Sequence, residues 1–351
     1  MTLKKTALIA GATGVAGRTL LDHLTRLPDW NVIGVSRRRP DFKTQARWIE
    51  ADLLDEESSR AQLGRLKEVT HLFYVAFADA PTFALQRSPN TTMLVNAVEG
   101  LGAAGGSLEH VCLLQGTKYY GNHLGPFRTP AKEHDPRMLT PYFYYDQQDH
   151  LERRGPTLGF TYSCARPHVI CGFALGTPLN LIAVLGVYAT ACKELGLPLR
   201  FPGKSGAYRS IYQATDAGLL ARAMTWMATT PACRNEAFNI TNGDFFRYEN
   251  IWPTLASFFG MEVDEPRQID LVVAMADRAP LWDTIVAKHG LVANPFERVA
   301  DWRFANYAWG ADWDVMSDTL KCRRAGFLEF IDSEEMFLRV LGEFRERKII
   351  P

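Results

Sequence analysis

The chain has 351 residues, which favours one large α/β domain or two closely packed lobes over a single small domain. Its 39 basic and 39 acidic residues cancel, so no broad electrostatic field attracts nucleic acid or an anionic membrane. We therefore expect a small-molecule partner.

The six cysteines lie far apart without a CxxC pair, which is typical of free thiols in a reducing compartment and argues against a metal site. Glycines interrupt the N-terminal run MTLKKTALIAGATG early, which indicates a first strand rather than a signal peptide. The longest uncharged apolar run, LNLIAVLGVYATAC, is too short to span a membrane. We expect a cytoplasmic protein.

Short apolar, β-branched runs alternate with helical patterns through the first half of the chain. The predicted strands are, in chain order, TALIAG, NVIGVSR, RWIEADL, THLFYVAF, EHVCLLQG and FTYSCARP. Between them, GRTLLDHLTRL and PNTTMLVNAVEGLGAAG repeat apolar residues at helical spacing. Apolar strands separated by helices predict an α/β fold with a doubly wound parallel sheet of the Rossmann type.

The pattern changes after residue 172. A long apolar helix is expected around 179–195, followed by the proline- and glycine-containing segment PLRFPGKSGAY and by further helices. No linker separates the two halves. We expect a cofactor-binding domain over 1–172 and a smaller, mainly helical substrate lobe over 173–351, packed on the first and partly interleaved with it.

The segment GATGVAG places three glycines directly after the first predicted strand and directly before a helix. Gly11 permits a tight turn, Gly14 lets the backbone approach a pyrophosphate, and Gly17 permits close helix packing. The helix N-terminus then holds the anion. Together with the second strand and helix, this loop predicts a dinucleotide site that includes Thr13 and Val15.

The end of the second predicted strand indicates which dinucleotide binds. An NAD site carries an acidic residue there, whereas the sequence VSRRR supplies Ser36, Arg37 and Arg38. Guanidinium groups bind a 2′-phosphate that a carboxylate would repel, so we expect NADPH. A solvated basic turn is the alternative.

The ends of the next strands fit the same cofactor. Asp52, followed by Leu53, is placed to meet the adenine amine, although it could equally be a helix N-cap. Ala76 lies where the fourth strand ends and the backbone would pass the adenine ribose. Gln115 follows the fifth strand at the same edge of the sheet.

In short-chain dehydrogenases a catalytic tyrosine is followed one helical turn later by a lysine. Here PYFYYDQQD places Gln148 one turn after Tyr144, and Asp149 one turn after Tyr145, so neither position supplies the cation. Lys118 follows the fifth strand and faces the crevice where a nicotinamide would rest, so it can supply the charge from another direction. A solvated lysine without a catalytic role is the alternative.

Several motifs, in order along the chain, resemble those of one family. GATGVAG, VSRR, LLQGTKYY followed by GPF, PYFYYDQQD, ARPHVICGF and NEAFNITNGD are similar to motifs of the progesterone 5-beta-reductase and iridoid synthase-like family. This family is an atypical extended branch of the short-chain dehydrogenases, and the likeness runs from the first strand to the closing KIIP. It implies NADPH-dependent reduction of the carbon-carbon double bond of a small apolar enone or enal, and also a homodimer.

The resemblance assigns roles to individual residues. Lys118 and Tyr144 match the family's catalytic lysine and tyrosine, and Phe127, in the GPF motif, would line the substrate pocket. Pro167 and Ile170, in the segment RPHVI, would contact the nicotinamide.

This sequence departs from the family pattern at several positions. Tyr142 replaces an asparagine, His168 replaces the glycine of RPGN, and residues 122–124 are extra residues at the mouth of the pocket. We expect Tyr145 and His168 at the substrate pocket, although a packed or hydrogen-bonded histidine is an equal alternative for His168. These changes bear on the substrate rather than on the reaction class.

The predicted site is therefore extensive. The expected cofactor-binding residues are Gly11, Thr13, Gly14, Val15, Gly17, Ser36, Arg37, Arg38, Asp52, Leu53, Ala76, Gln115, Lys118, Tyr144, Pro167 and Ile170. Two other interpretations remain. One is ordinary extended short-chain chemistry, such as sugar-nucleotide epimerisation or alcohol dehydrogenation, and the other is a non-catalytic NADP(H)-binding sensor.

Overall fold

The computed structural model describes residues 4–351. The strands are β1 (Lys5–Ala10), β2 (Trp30–Ser36), β3 (Arg47–Glu50), β4 (His71–Tyr74), β5 (His110–Leu114), β6 (Thr161–Pro167), β7 (Val169–Cys171), β8 (Leu199–Arg200), β9 (Ala214–Asp216), β10 (Glu236–Ile240) and β11 (Val263–Asp264). Short 3₁₀ helices cover Thr117–Tyr120 and Pro231–Cys233.

The helices alternate with the strands in the first half of the chain and dominate the second half. They are α1 (Val15–Thr25), α2 (Glu56–Leu63), α3 (Phe83–Ala103), α4 (Phe143–Leu158), α5 (Leu181–Glu194), α6 (Ser205–Arg209), α7 (Ala217–Thr229), α8 (Tyr248–Phe259), α9 (Leu271–Ala274), α10 (Ala279–His289), α11 (Phe296–Val299), α12 (Trp302–Ala308), α13 (Leu320–Arg324) and α14 (Ser333–Glu346).

Seven parallel strands form the central sheet in the order β10-β6-β5-β4-β1-β2-β3. The chain adds strands to one side of β1 and then to the other, so the direction of winding changes between β1 and β4. In such sheets a ligand crevice opens at the carboxyl ends of the strands at this point. The predicted doubly wound parallel sheet is confirmed.

Side chains of the sheet are buried on both faces because successive residues of a strand point in opposite directions. On β1, Leu8 and Ala10 pack in the cluster that contains Met93 of α3. Ala7 and Ile9 belong to the opposite cluster with residues of α1 and α7. Burial on both faces explains why the predicted strands are apolar without interruption.

Most predicted helices are present, with shifted ends. The helix predicted from Pro89 begins at Phe83, because the Thr82 hydroxyl caps it by accepting the Leu85 N–H at 3.3 Å. The apolar helix predicted over 179–195 is α5, and the Asn180 side chain caps it by accepting the Ala183 N–H at 3.2 Å.

The second half of the chain forms a helical core around α5. Residues 181–192 of this helix are buried all round, and it packs against α8, α12 and α14. Two elements return to the central sheet: α7 packs on α1, and β10 pairs with β6, with Phe238 opposite Ala165. The division at residue 172 stays a prediction, since α7 and β10 complete the sheet layer from beyond it.

Two further features bear on the environment of the chain. Within residues 4–351, no helix combines the length and apolarity needed to cross a membrane. The six cysteines are all buried and unpaired.

Candidate active site

The glycine loop brings the ends of β1 and β4 into direct contact. Gly11 has φ of +87°, and a Cβ there would lie 2.6 Å from Ala76 Cα. A Cβ on Gly17 would lie 2.1 Å from the Gly11 carbonyl oxygen. Only glycine fits at either position, because the clashing atoms belong to the backbone and cannot move aside.

The N-terminus of α1 has free backbone donors. Gly14 is the N-cap, it makes no side-chain capping bond, and no acidic side chain lies in the first turn. Val15 packs beside the half-buried Ile170. The donors of this helix end can therefore bind an anionic pyrophosphate, as the chemistry of a dinucleotide requires.

The end of β2 has two arginines without acidic partners. The Ser36 hydroxyl donates to the Arg38 carbonyl, which also accepts the Trp48 indole N–H at 3.2 Å. Arg39 forms an ion pair with Glu50 at 2.9 Å. Arg37 and Arg38 are exposed, and within the described chain neither lies within 4 Å of a carboxylate.

Asp52 does not cap a helix. Its carboxylate accepts the Leu54 N–H at 3.0 Å, whereas Asp55 is the N-cap of α2 and accepts the Ser58 N–H at 3.0 Å. The helix-cap alternative for Asp52 is therefore wrong. The buried Leu53 is fixed through its carbonyl, which accepts the Asn96 amide at 2.9 Å.

Gln115 and Arg166 join the ends of β5 and β6 to α4. The Arg166 Nε donates to Gln115 Oε1 at 2.8 Å, and the Gln115 amide donates to the Tyr144 carbonyl at 3.0 Å. Arg166 also donates to Gln148 Oε1 at 3.3 Å. Gln148 thus acts as an acceptor at the position where short-chain dehydrogenases carry their lysine.

Arg166 is almost fully buried and is surrounded by neutral groups. Its guanidinium carbon lies 3.3 Å from the centroid of the Tyr119 ring, and it donates to the Tyr120 hydroxyl at 3.2 Å and to the Glu133 carbonyl at 3.1 Å. No carboxylate of residues 4–351 lies within 4 Å of it. Every bond that holds this charge therefore also fixes a neighbouring element.

Lys118 belongs to the 3₁₀ helix after β5 and has a half-buried side chain. Its ammonium lies 4.7 Å from the centroid of the Phe83 ring and 5.0 Å from that of Tyr307. Burial lowers the pKa of Lys118 to about 8, and Asp79 opposes this shift only in part. Asp79 forms its ion pair with Arg303, at 2.8 Å, so Lys118 has no ion-pair partner among the described residues.

Tyr144 lies in the first turn of α4, over the end of β5. A Cβ on Gly116 would lie 3.4 Å from the Tyr144 hydroxyl oxygen and 3.3 Å from the Pro167 carbonyl oxygen. Burial raises the pKa of Tyr144, so its hydroxyl stays protonated at neutral pH. The Tyr144 hydroxyl and the carbonyl of Pro167, a predicted nicotinamide contact, therefore lie on the same side of Gly116.

An aromatic cluster connects Tyr144 with Lys118. The Tyr144 and Tyr142 rings have centroids 4.8 Å apart, and the Tyr142 and Phe83 rings 6.3 Å apart. Since the Lys118 ammonium lies over Phe83 and Tyr307, both predicted catalytic side chains border one aromatic enclosure, formed by the rings of Phe83, Tyr142 and Tyr307. An ammonium and a neutral phenol in an apolar enclosure can stabilise negative charge on a bound oxygen.

The three predicted pocket residues differ in position. Phe127 is half-buried and packs against both the aromatic cluster and the core of the second lobe. The Tyr145 hydroxyl donates to the Tyr119 carbonyl at 2.6 Å and accepts the Met138 N–H at 3.0 Å. The pocket assignment of Tyr145 stays a prediction, because in this conformation its hydroxyl binds the backbone.

His168 is a buried histidine with a hydrogen bond to the second lobe. Its Nε2 lies 2.9 Å from the Ser317 hydroxyl, and its backbone N–H donates to Thr215 at 3.1 Å. Burial lowers the pKa of His168 to about 3, so the ring is neutral. The packed and hydrogen-bonded alternative describes this conformation, and a contact of His168 with substrate stays a prediction.

The sequence analysis missed four residues of this region. Phe83 and Tyr307 lie beside the Lys118 ammonium, and His123 packs on Phe83. Arg166 is linked to Tyr144 through Gln115. Phe83 and Tyr307 carried no local signal. His123 lies in the extra residues 122–124, and Arg166 lies in the quoted motif ARPHVICGF, so these two could have been found.

The sheet order and the glycine loop place the protein in the Rossmann class of α/β proteins. The UDP-glucose 4-epimerase from Thermotoga maritima has a similar structure, with a TM-score of 0.69 over 97% of this chain and 99% of that chain, at 16% identity. A putative epimerase from Burkholderia cenocepacia gives a TM-score of 0.70 at 16% identity, covering 99% of this chain and 100% of that chain. At such identities the likeness shows the fold alone.

Sequence comparison defines the family. The model of the PRISE-like Rossmann-fold domain matches residues 7–351, and the chain belongs to this family. A 3-oxo-Delta(4,5)-steroid 5-beta-reductase from Arabidopsis thaliana is 34% identical over 364 residues, 98% of this chain and 93% of that protein. An (S)-8-oxocitronellyl enol synthase from Camptotheca acuminata is 35% identical over 366 residues, with the same two coverages.

The buried network predicts that Arg166 contributes more to the stability of the protein than a surface arginine does. Replacing Arg166 by methionine leaves several buried acceptors unpaired and should lower the free energy of unfolding by about 3 kcal/mol. Arg154 pairs with Glu99 at 2.6 Å near the surface, so Arg154→Met should cost about 1 kcal/mol or less. Urea denaturation of both variants measures this, and equal losses would contradict the structural role of Arg166.

Proposed function

We propose that this protein uses NADPH to reduce the carbon-carbon double bond of α,β-unsaturated aldehydes and ketones. The observation that carries the proposal is the Lys118 ammonium, which lies without an ion-pair partner from residues 4–351 in the same aromatic enclosure as Tyr144. An ammonium enclosed by aromatic rings without a counterion is costly, so its presence favours a functional role.

The family supports the same reaction class. The two relatives described above are named as a steroid 5-beta-reductase and as an 8-oxocitronellyl enol synthase, and each aligns with 98% of this chain. Chemistry of the epimerase type has weaker support, because Gln148 replaces the lysine that assists the tyrosine and is engaged by Arg166.

The choice of NADPH rests on the end of β2. Ser36 replaces the acidic residue of an NAD site, and Arg37 and Arg38 are exposed beside it without carboxylate partners among the described residues. Two guanidinium groups can bind a 2′-phosphate by charge-assisted hydrogen bonds. The close-packed Gly11 and Gly17 and the open end of α1 fit the pyrophosphate.

The residues of the chain stabilise charge on the substrate. Bound NADPH supplies a hydride for the β-carbon of the substrate, and the electrons of the double bond then move onto the carbonyl oxygen. Tyr144 donates a hydrogen bond to this developing enolate oxygen, and the Lys118 ammonium adds positive potential. A proton from solvent on the α-carbon completes the saturated product.

The raised pKa of Tyr144 and the lowered pKa of Lys118 suit these roles. The phenol remains a neutral donor throughout the physiological range, because burial disfavours its anion. Lys118 remains charged below about pH 8, where it can stabilise the enolate. The hydrogen bond from Tyr144 becomes stronger as negative charge develops on the substrate oxygen. Its contribution should therefore appear in the transition state.

Two further proposals concern the setting of the protein. The six buried, unpaired thiols fit a reducing compartment, and we place the protein in the cytoplasm. A homodimer is proposed from the family likeness alone.

Removing the Tyr144 hydroxyl should slow the reaction and leave cofactor binding intact. For Tyr144→Phe we expect a loss of about 100-fold in kcat with 2-cyclohexen-1-one, because an oxyanion donor acts mainly in the transition state. The dissociation constant for NADPH should change little. Tyr208→Phe, at a half-buried tyrosine outside the enclosure, is the control; a Tyr144→Phe enzyme as fast as wild type would refute the assignment.

Arg37 and Arg38 should determine the preference for the phosphorylated cofactor. In Arg37→Ala/Arg38→Ala we expect kcat/KM for NADPH to fall by about 10-fold to 100-fold, with the value for NADH little changed. Arg39→Ala is the matched control, because Glu50 already engages Arg39. An NADPH preference that survives the double substitution would contradict the proposed phosphate site.

The Lys118 ammonium predicts an alkaline limit to activity. Its folded pKa is lowered, so the charge is present below about pH 8 and is lost as the pH rises through that value. The negative charge of bound NADPH opposes the lowering of the Lys118 pKa and should move this limb upward. We expect kcat/KM for the enone to fall on the alkaline side in the wild type.

Lys118→Arg tests the origin of that limb. Arginine keeps its charge throughout this pH range, so the variant should lose the alkaline limb even if its rate is lower. Rate profiles of the two proteins at saturating NADPH provide the comparison. An identical limb in both would assign the titration to another group.

A further inference from the structure

A cleft of about 950 Å³ runs along one side of α1. Its other walls are the segment between β2 and β3, the start of α7 and the C-terminal part of α14. Among the described residues that line it, none is an expected cofactor-binding residue. The cleft is therefore distinct from the predicted dinucleotide site, although both adjoin α1, and its volume is that of a small-molecule site.

The cleft is lined by more cations than carboxylates. Six basic side chains face three acidic ones, which are Asp22, Asp216 and Glu343. The six are Arg18, Arg26, Lys43, Arg222, Arg339 and Arg347. This excess is local, because the whole chain has equal numbers of basic and acidic residues. A cleft whose walls carry an excess of one charge attracts a ligand of the opposite charge.

Four of the six cations form ion pairs with carboxylates. The pairs are Arg26–Asp22 at 2.6 Å, Arg347–Glu343 at 2.8 Å, Arg222–Glu329 and Arg339–Asp216. Arg18 and Lys43 differ from these four, because no carboxylate of residues 4–351 lies within 4 Å of either. The charges of these two residues remain available to a bound molecule.

Aromatic rings hold the side chain of Arg18 in position. Its guanidinium carbon lies 4.2 Å from the centroid of the Phe42 ring and 5.1 Å from that of Phe173. A guanidinium over a ring uses the face of its plane, so the N–H groups at its edge can still bind an oxyanion through two hydrogen bonds. Arg18 is half-buried, which limits the competition from water at this position.

A second guanidinium lies against the same phenyl ring. The Arg347 guanidinium carbon is 4.4 Å from the Phe173 centroid, so the charges of Arg18 and Arg347 are neighbours. Burial and the charge of Arg347 lower the pKa of Arg18 from its usual value, and Asp41 opposes this shift. Two like charges beside one ring repel each other, and an anion bound to both would remove that repulsion.

We propose that this cleft binds an oxyanion with at least two negative charges, held by Arg18, Lys43 and Arg347. The occupant is a phosphorylated or polycarboxylic small molecule, since both present the paired, charged oxygen atoms that guanidinium groups bind. Arg18 lies on α1, Lys43 lies between β2 and β3, and Arg347 follows α14, so the bound anion joins distant parts of the chain. The inference goes beyond the proposed function, because no step of that reaction uses these residues.

Calorimetry with the NADPH-loaded protein tests the site, because NADPH then fills the predicted phosphate sites of the glycine loop and of β2. Pyrophosphate or citrate should bind once per chain, and acetate, with its single charge, should bind about tenfold more weakly or less tightly still. Added salt should weaken the binding. Tighter binding of pyrophosphate indicates a phosphorylated ligand, and tighter binding of citrate a polycarboxylic one. If neither binds more tightly than acetate, the proposal is wrong.

Two single variants locate the bound anion. Arg18→Gln should weaken the binding of the better anion by about tenfold or more, and Arg18→Lys, which keeps the charge, should restore part of the affinity. Lys43→Gln, at an exposed position, should also weaken binding, and it leaves the packing of the protein untouched. Arg65→Gln, at an exposed arginine outside the cleft, is the control and should match the wild type. Unchanged affinity in both Arg18→Gln and Lys43→Gln would contradict the assignment.

The affinity for NADPH separates the cleft from the cofactor site. Its dissociation constant should be the same for the wild type, Arg18→Gln and Lys43→Gln. An Arg18→Gln protein that loses affinity for NADPH and for the anion in equal measure would make the cleft part of the cofactor site and overturn the inference. These measurements use no enone, so their outcome is independent of whether the proposed reduction occurs.

Discussion

The site depends on one buried guanidinium. Arg166, on β6, is bonded to Gln115 after β5, to Gln148 on α4 and to the Tyr120 hydroxyl, which itself donates to Asn239 on β10. These bonds fix the relative positions of β6, the end of β5, the 3₁₀ helix that follows it, α4 and β10. Because these partners are neutral, the charge is stabilised by directed hydrogen bonds and an aromatic ring, which makes the arrangement sensitive to small displacements.

Lys118 and Arg166 show two ways to keep a cation in the interior. Arg166 has all its neighbours committed to it, and its pKa lies far above the physiological range. Lys118 has aromatic neighbours instead, while the nearby Asp79 is engaged by Arg303. Arg166 therefore has a structural role, whereas the positive charge of Lys118 remains available to interact with a bound molecule.

The sequence predicted features that depend on local patterns. The six strands of the first half and the glycine loop follow from apolar runs and from the close contacts of Gly11 and Gly17. Placing Phe83 and Tyr307 around Lys118 requires long-range packing, which no local pattern encodes. The sequence placed the start of α3 at Pro89, but capping by Thr82 starts the helix at Phe83. Asp55, and not Asp52, caps α2.

The pairing of β10 with β6 has a consequence for biosynthesis. A ribosome delivers β6 long before β10, so the nascent sheet has an unpaired edge while residues 168–235 are still being made. Exposed edges of this kind invite pairing with other chains, and they are protected in cells by speed or by chaperones. Until β10 is synthesised, β6 is therefore an exposed edge strand of the nascent chain, open to pairing with other chains.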